Sequence, residues 1–223
     1  MNIKKKLIDK IKKNGSLNVA EFIEMCQFEN DGYYLKNNPI GGDNDFITSP
    51  EISQMFGEVL TMFLINYWEN KIKNNFNLVE LGPGKGTLLN DILRTSSINQ
   101  KFLNSMDITL IEKNKSLIDI QKKNTDHKNI TWCEEFDISN KNIPSIIYSN
   151  EFFDCFPVQQ FHKKEKWYEK YVNYNEVEQN FTLVSHQVED EKILKSLEKF
   201  EQVKVAEIAL SRDEYFESVC SFI

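Results

Sequence analysis

Residues 77–94 read NLVELGPGKGTLLNDILR, and the way this stretch breaks into three sets the fold. Leu78-Val79-Glu80-Leu81 is a short apolar run, bounded by a turn, of the kind that fills a buried strand. Gly82-Pro83-Gly84-Lys85-Gly86 is a turn whose glycines permit positive φ and close approach of a ligand to the backbone. Leu88, Leu89, Ile92 and Leu93 then recur on one helical face, and the first turn of such a helix offers free N–H groups. Strand, glycine-rich turn and helix in that order make a nucleotide cradle.

Downstream, strands and helices keep alternating. A second apolar segment, MDITLIE at 106–112, ends on an acid and is followed by a helix carrying Leu117, Ile118 and Gln121. NITWC at 129–133 and PSIIYS at 144–149 supply a third and a fourth strand. This βαβα order predicts an α/β, Rossmann-like fold with a parallel sheet and helices on both faces. Beyond 160 the pattern turns β-rich. Segments 167–174 and 181–186 read as a hairpin, so a β-rich insertion is expected at about 161–188. A charged helix over 189–201, a strand over 203–210 and a helix from 213 complete the chain.

Upstream, a basic helix spans 3–13 and stops at Asn14-Gly15. A second begins near Asn18, with Glu21 three residues on in capping-box fashion and Val19, Phe22, Ile23 and Cys26 as its stripe. A turn at Asn30-Asp31-Gly32 leads to a short extended piece, Tyr33-Tyr34-Leu35. Segment 37–53 is polar and Gly-rich. It is either a plain surface loop or a lid over the glycine turn. Ser49 suits an N-cap and Pro50 a first helical position. Ile52, Phe56, Val59, Phe63, Leu64 and Tyr67, with Leu60, then recur at three and four, which predicts a long buried helix. Residues 1–75 are thus expected to form a helical extension and lid, and 76–223 the Rossmann-like domain.

Composition narrows the function. The chain has 223 residues, 40% hydrophobic and 27% charged, enough for one sizeable core. A net charge of −7 argues against broad nucleic-acid binding. Cys26, Cys133, Cys155 and Cys220 form no CxxC, which suits a reduced, intracellular protein. His127, His162 and His186 are scattered, so no metal site is expected. Apolar runs fall short of the roughly 18 residues of a membrane span. The N-terminus is Lys-rich without an apolar core, so it reads as a helix rather than a targeting signal.

Glu80-x-Gly82-x-Gly84-x-Gly86 lets the backbone wrap a nucleoside, and Glu112 ends the next strand 26 residues after Gly86. A carboxylate there can accept both hydrogen bonds of a ribose diol, unless it is only an exposed strand-end acid. Two ligands fit the cradle. A dinucleotide, as in an NAD-dependent oxidoreductase, wants G-x-G-x-x-G and a pyrophosphate at the helix N-terminus. Here the third glycine comes one residue early and Glu80 at the mouth would repel a pyrophosphate. A ligand with an amino group and a sulfonium suits that acid, which favours S-adenosyl-L-methionine. Asn150-Glu151-Phe152-Phe153-Asp154 lies at the carboxyl end of the fourth strand, the edge where ligands bind such sheets. Acids flanking aromatics serve a guanidinium well; the alternative is two core phenylalanines between solvated acids. Asp137, past strand three, is placed to reach an adenine amino group.

VELGPGKGTLLNDILR, DFITSPEISQMFGE, LIEKNKSLIDIQ and SNEFFDCFPVQQF, in this order, resemble the MidA-type S-adenosylmethionine-dependent methyltransferases. That family includes the mitochondrial complex I assembly-factor protein arginine methyltransferase and bacterial relatives. The resemblance runs from about residue 16 to the C-terminus. It implies a class I methyltransferase fold and methyl transfer to arginine in a protein, for mitochondrial members a complex I subunit. It implies a cytoplasmic location in a bacterium or the mitochondrial matrix in a eukaryote, without membrane insertion. It also implies that Glu80, Gly82, Gly84 and Gly86 hold the methionine moiety and Glu112 the ribose. Thr48, Ser49 and Glu51 would close over the cofactor, and Asn150, Glu151 and Asp154 would face the substrate. Two departures stand out. The loop reads GGDNDFITSP where relatives run a glycine pair more directly into DFIT. Relatives also continue past Ile223 through a Gly-Gly turn, an apolar strand and a D-Y-G stretch. The expected sheet is therefore incomplete at its C-terminal side, with strand four as an open apolar edge. On that ground the alternative function is a catalytically impaired binding or assembly factor.

Overall fold

In a computed structural model, which describes residues 2–29, 32–36, 47–127, 129–136, 143–200 and 202–221, strands form where apolar and β-branched residues cluster between turns. They are β1 (Leu17–Asn18), β2 (Phe76–Leu81), β3 (Met106–Ile111), β4 (Ile130–Cys133), β5 (Ser145–Ser149), β6 (Gln159–Lys163), β7 (Trp167–Asn175), β8 (Asn180–Gln187) and β9 (Val205–Ile208). Of the described residues, 47–154 make one compact unit and 2–36 with 155–221 another. The expected turn at Asn30-Asp31, loop positions 37–46 and Asp137 lie outside the described residues.

The unit of 47–154 holds a parallel sheet in the order β4-β3-β2-β5. β2 is buried along its whole length, as a central parallel strand must be. Its two polar residues are therefore partnered inside: the Thr109 hydroxyl donates to Asn77 Oδ1 at 3.0 Å, and Glu80 has a partner on β5. The chain steps from β2 out to β3 and β4, then returns to β5 on the other side of β2. Strand order thus reverses between β2 and β5, which opens a crevice at their carboxyl ends. The helix Thr87–Ser96 buries Leu88, Leu89 and Ile92, as its spacing predicts. Phe102 stacks on Phe76 at 5.4 Å and meets Trp68 edge-on at 5.8 Å in the same core.

The helix before β2 departs from the expectation twice. It comes in two pieces, a short turn Ser49–Ile52 and the helix Gln54–Tyr67. Thr48, not Ser49, takes the N-cap position of the first, and Ser53 caps the second by accepting from Met55 N–H at 3.2 Å. More consequentially, of the expected apolar face Leu64 is buried and Leu60 packs against the core, while Ile52, Phe56, Val59, Phe63 and Tyr67 are exposed. Val59 and Phe63 are each 65% exposed and Ile52 73%, while Gly57, Thr61, Leu64 and Ile65 are buried. The reason is close approach to the helix Thr87–Ser96. A Cβ on Gly57 would stand 2.5 Å from Asp91 Cβ, and Thr61 turns its hydroxyl back to the Gly57 carbonyl at 2.6 Å. Small residues let the two helices meet, so the contact follows them rather than the largest side chains.

The other unit is an antiparallel sheet, β1-β7-β6-β9, with β8 paired to β7. The expected hairpin is β7–β8. It is joined by β6 and β9, and by β1 through Leu17 opposite Val172. β1 thereby brings the helices Ile3–Asn14 and Val19–Phe28 into this unit, where Leu7, Ile11, Leu17 and Met25 bury together. The chain accordingly divides at about 37 and 155 rather than at 75, with the first helices separate from the 47–75 segment. The Asn18–Glu21 capping box forms as expected, with bonds of 2.8 and 3.1 Å. Tyr33–Lys36 is a helical turn rather than an extended piece.

Candidate functional site

The glycine turn sits at the carboxyl end of β2. Gly82, Gly84 and Gly86 have φ of 65°, 57° and 80°, a region that L side chains rarely tolerate. At Gly82 space is short as well, since a Cβ would stand 2.5 Å from a ring carbon of Phe152. The turn is fixed by Gly82 N–H donating to Ile111 O at 3.0 Å and Gly86 N–H to Pro83 O at 2.8 Å. Gly86 is the N-cap of the helix Thr87–Ser96 and supplies no side-chain partner, so the first N–H groups of that helix stay available.

Around this turn lies a cleft, partly open to solvent, whose walls include Thr48, Glu51, Glu80, Gly82, Gly84 and Asn150. Pro50, Pro83, Lys85, Thr87 and Leu88 complete them. Glu80 is its acid. It is 3% exposed, and the Tyr148 hydroxyl donates to its Oε2 at 2.9 Å from the facing position on β5. Burial pushes the Glu80 carboxyl up to about 7 against the opposing pull of that hydrogen bond. Glu51 accepts a hydrogen bond from the Thr87 hydroxyl, which ties the Ser49–Ile52 turn to the start of the glycine-turn helix.

Of the remaining residues singled out by sequence, Ser49 and Gly86 adjoin the cleft walls in the chain without being among them. Glu112 follows β3 and lies outside the walls, half-buried. It accepts from Asn114 N–H at 2.9 Å, from Lys113 N–H and from Gln121, while burial pushes its carboxyl above the usual range. Glu151 and Asp154 are exposed and outside the walls, with Phe152 and Phe153 half-buried edge-to-face between them at 5.2 Å. Glu151 has φ 54°, a left-handed conformation rare for a side chain with a Cβ and enriched at functional sites. Asp137 is outside the described residues. Sequence reasoning passed over Tyr148, Lys85, Thr87 and Gln121. Only Lys85 carried a local signal, being inside the glycine turn itself. Tyr148 is a partner of Glu80 through strand register, which no spacing shows.

The comparisons with known proteins agree with this geometry. The sequence model of a family described as "Putative S-adenosyl-L-methionine-dependent methyltransferase" matches residues 59–223. "Protein arginine methyltransferase NDUFAF7, mitochondrial" of Bos taurus is 38% identical over 187 residues, covering 70% of this chain and 41% of the relative. The Homo sapiens protein of the same name is 36% identical over 198 residues, covering 75% and 44%. The chain therefore spans less than half the length of these curated relatives. A crystal structure of a Burkholderia thailandensis protein bound to S-adenosyl-homocysteine superposes with a TM-score of 0.85 at 17% identity, covering 99% of this chain and 59% of that one. The last likeness establishes the fold. The glycine turn after β2, the acid buried beneath it and the family match over residues 59–223 lead to one conclusion: this chain belongs to the S-adenosyl-L-methionine-dependent methyltransferase family.

Proposed function

We propose that the protein transfers a methyl group from S-adenosyl-L-methionine to arginine in a protein substrate, a subunit of respiratory complex I during its assembly. The observation that carries the cofactor half is Glu80, a buried acid facing the cleft of a glycine turn at the switch point of a parallel sheet. A pyrophosphate would meet a carboxylate there. An ammonium group would instead stabilise the ionised form that burial disfavours, so the residues fit this cofactor. The arginine half is supported by the relatives' names and by the acidic Asn150–Asp154 stretch after β5. The relatives' mitochondrial names support the mitochondrial matrix for a eukaryotic source, and the bacterial counterpart would work in the cytoplasm. No helix among the described residues is long and apolar enough to cross a membrane, which fits a site that takes protein from the aqueous side.

When bound, the cofactor supplies an electrophilic methyl group on a sulfonium. Glu80, with the backbone of Gly82, Gly84 and Gly86, holds the methionine moiety. Glu112 would accept from the ribose diol, and Asp137, which lies outside the described residues, is assigned the adenine amino group on its place in the sequence alone. Thr48, Ser49 and Glu51 would close over the bound cofactor. Asn150, Glu151 and Asp154 face the guanidinium, which carboxylates take bidentately and so align for displacement. Arginine stays protonated too strongly for a side chain to remove its proton in advance, so these acids hold charge and direction rather than act as a strong base.

Titration calorimetry with S-adenosylhomocysteine and with NAD, together with transfer of a labelled methyl group to complex I subunit peptides, tests the proposal. Binding of the first ligand and not the second is expected. Glu112→Ala should weaken that binding by about tenfold or more, the loss of charge-assisted bonds to a diol. Unchanged affinity would remove the ribose role. Glu151→Gln should bind as the parent does yet lose turnover; full activity would remove the guanidinium role.

A further inference from the structure

Gln121, fully buried in the helix Lys115–Asn124, touches three elements at once. Its Nε2 donates to the Gly84 carbonyl at 2.6 Å. Its Oε1 accepts from the Trp132 indole N–H of β4 at 2.9 Å. Its side chain also hydrogen-bonds the Glu112 carboxylate. Its Cγ lies 3.5 Å from where a Cβ on Gly86 would stand, so the amide packs directly beneath the glycine turn. The orientation of the amide follows from its partners. An indole N–H can only donate, which claims Oε1, and the Gly84 carbonyl and the Glu112 carboxylate can only accept, which claims the NH₂.

We propose that Gln121 is a positioning residue that locks the Gly84 peptide on the methionine side and Glu112 on the ribose side of the cofactor site into one frame. This rests on the cofactor-site reading above. Glycine has more backbone freedom to lose than any other residue, and this turn holds three of them at positive φ. Gly82 and Gly86 are held by backbone bonds, whereas the Gly84 carbonyl is held by Gln121. Glu112 has donors from Lys113 and Asn114, but these move with its own loop. Gln121 comes from the next helix and ties that loop to the turn. A ligand that spans both halves then meets a site already ordered, and preorganisation of this kind strengthens binding by lowering its ordering cost.

The test is calorimetric titration of S-adenosylhomocysteine into the parent protein, Gln121→Leu, Glu112→Gln and the double variant, with urea unfolding of each without ligand. Gln121→Leu should weaken binding by about tenfold or more, because the turn loses the bond that sets Gly84 and a buried network is left half-satisfied. In the Glu112→Gln background the same change should cost less than about threefold, since the frame it maintains has already lost one member. A packing role alone would cost the same factor in both backgrounds, and that result overturns the proposal. So does Gln121→Leu binding within about twofold of the parent. If Gln121→Leu does not fold, Trp132→Phe removes the donor that orients the amide while keeping an aromatic ring at that position, and the same non-additivity with Glu112→Gln is expected; additive losses overturn the proposal. Absence of binding by the parent protein overturns the cofactor-site reading and this proposal together. Parental binding with additive losses overturns this proposal alone.

Discussion

Glu80→Gln should make the ligand-free protein more stable at pH 8 while removing its affinity for S-adenosylhomocysteine. The magnitude follows from burial. The Glu80 carboxyl is pushed from 4.5 to about 7 in the fold. Between those values the folded protein keeps a proton that the unfolded chain has released, so stability falls as pH rises from about 4.5 to about 7 and stays low above it. At about 1.4 kcal/mol per unit, the total fall is about 3 kcal/mol. Glutamine has no proton to release and can still accept from the Tyr148 hydroxyl. The assay is urea unfolding of parent and variant without ligand at several values between pH 5 and pH 8. Other titrating groups cancel in the difference, which should grow by about 2.5 kcal/mol in favour of the variant across that range, the rest of the fall lying below pH 5. With S-adenosylhomocysteine present the order should invert at pH 8, because only the parent gains binding energy. A ligand-free difference flat to about 0.5 kcal/mol from pH 5 to pH 8 would refute the buried-acid argument.

Two further substitutions probe the frame around that acid. Gly82→Ala should destabilise by about 1–3 kcal/mol in urea unfolding, from its positive φ and the 2.5 Å approach to Phe152, and Phe152→Ala should relieve the steric part. Full recovery by Phe152→Ala would show that φ plays no part. On the helix Gln54–Tyr67, Val59→Lys should change stability by no more than about 0.5 kcal/mol, whereas Leu89→Ala in the core should cost about 2–5 kcal/mol. A large loss from Val59→Lys would contradict the exposed placement of that face.

Sequence patterning carried the α/β unit a long way. The strand, turn and helix at 77–94 lie where their residues predict, because each depends on neighbours a few positions away. The three glycines do take positive φ. The Asn18–Glu21 box and the β7–β8 hairpin are legible for the same reason. The reading failed on the helix Gln54–Tyr67. A helical period identifies an apolar face, but it does not say whether another element covers that face. Gly57 and Thr61, small and easy to overlook, mark the real contact with Asp91 and its helix. It also failed on the first two helices, since a two-residue strand at Leu17 and Asn18 decides which unit they join.

The site divides along the same line. Residue type and spacing determined the glycine turn, the acid before it and the acid ending the next strand, because backbone freedom and charge are properties of single residues. Tertiary structure decided what those acids are. Glu80 is raised to about 7 because central placement in the sheet removes water from it, and because β5 sets Tyr148 opposite. Gln121 meets both Gly84 and Glu112 because a helix after β3 folds back under the turn. Desolvation and hydrogen bonds between residues tens of positions apart arise only when the chain has closed on itself, so no local pattern records them.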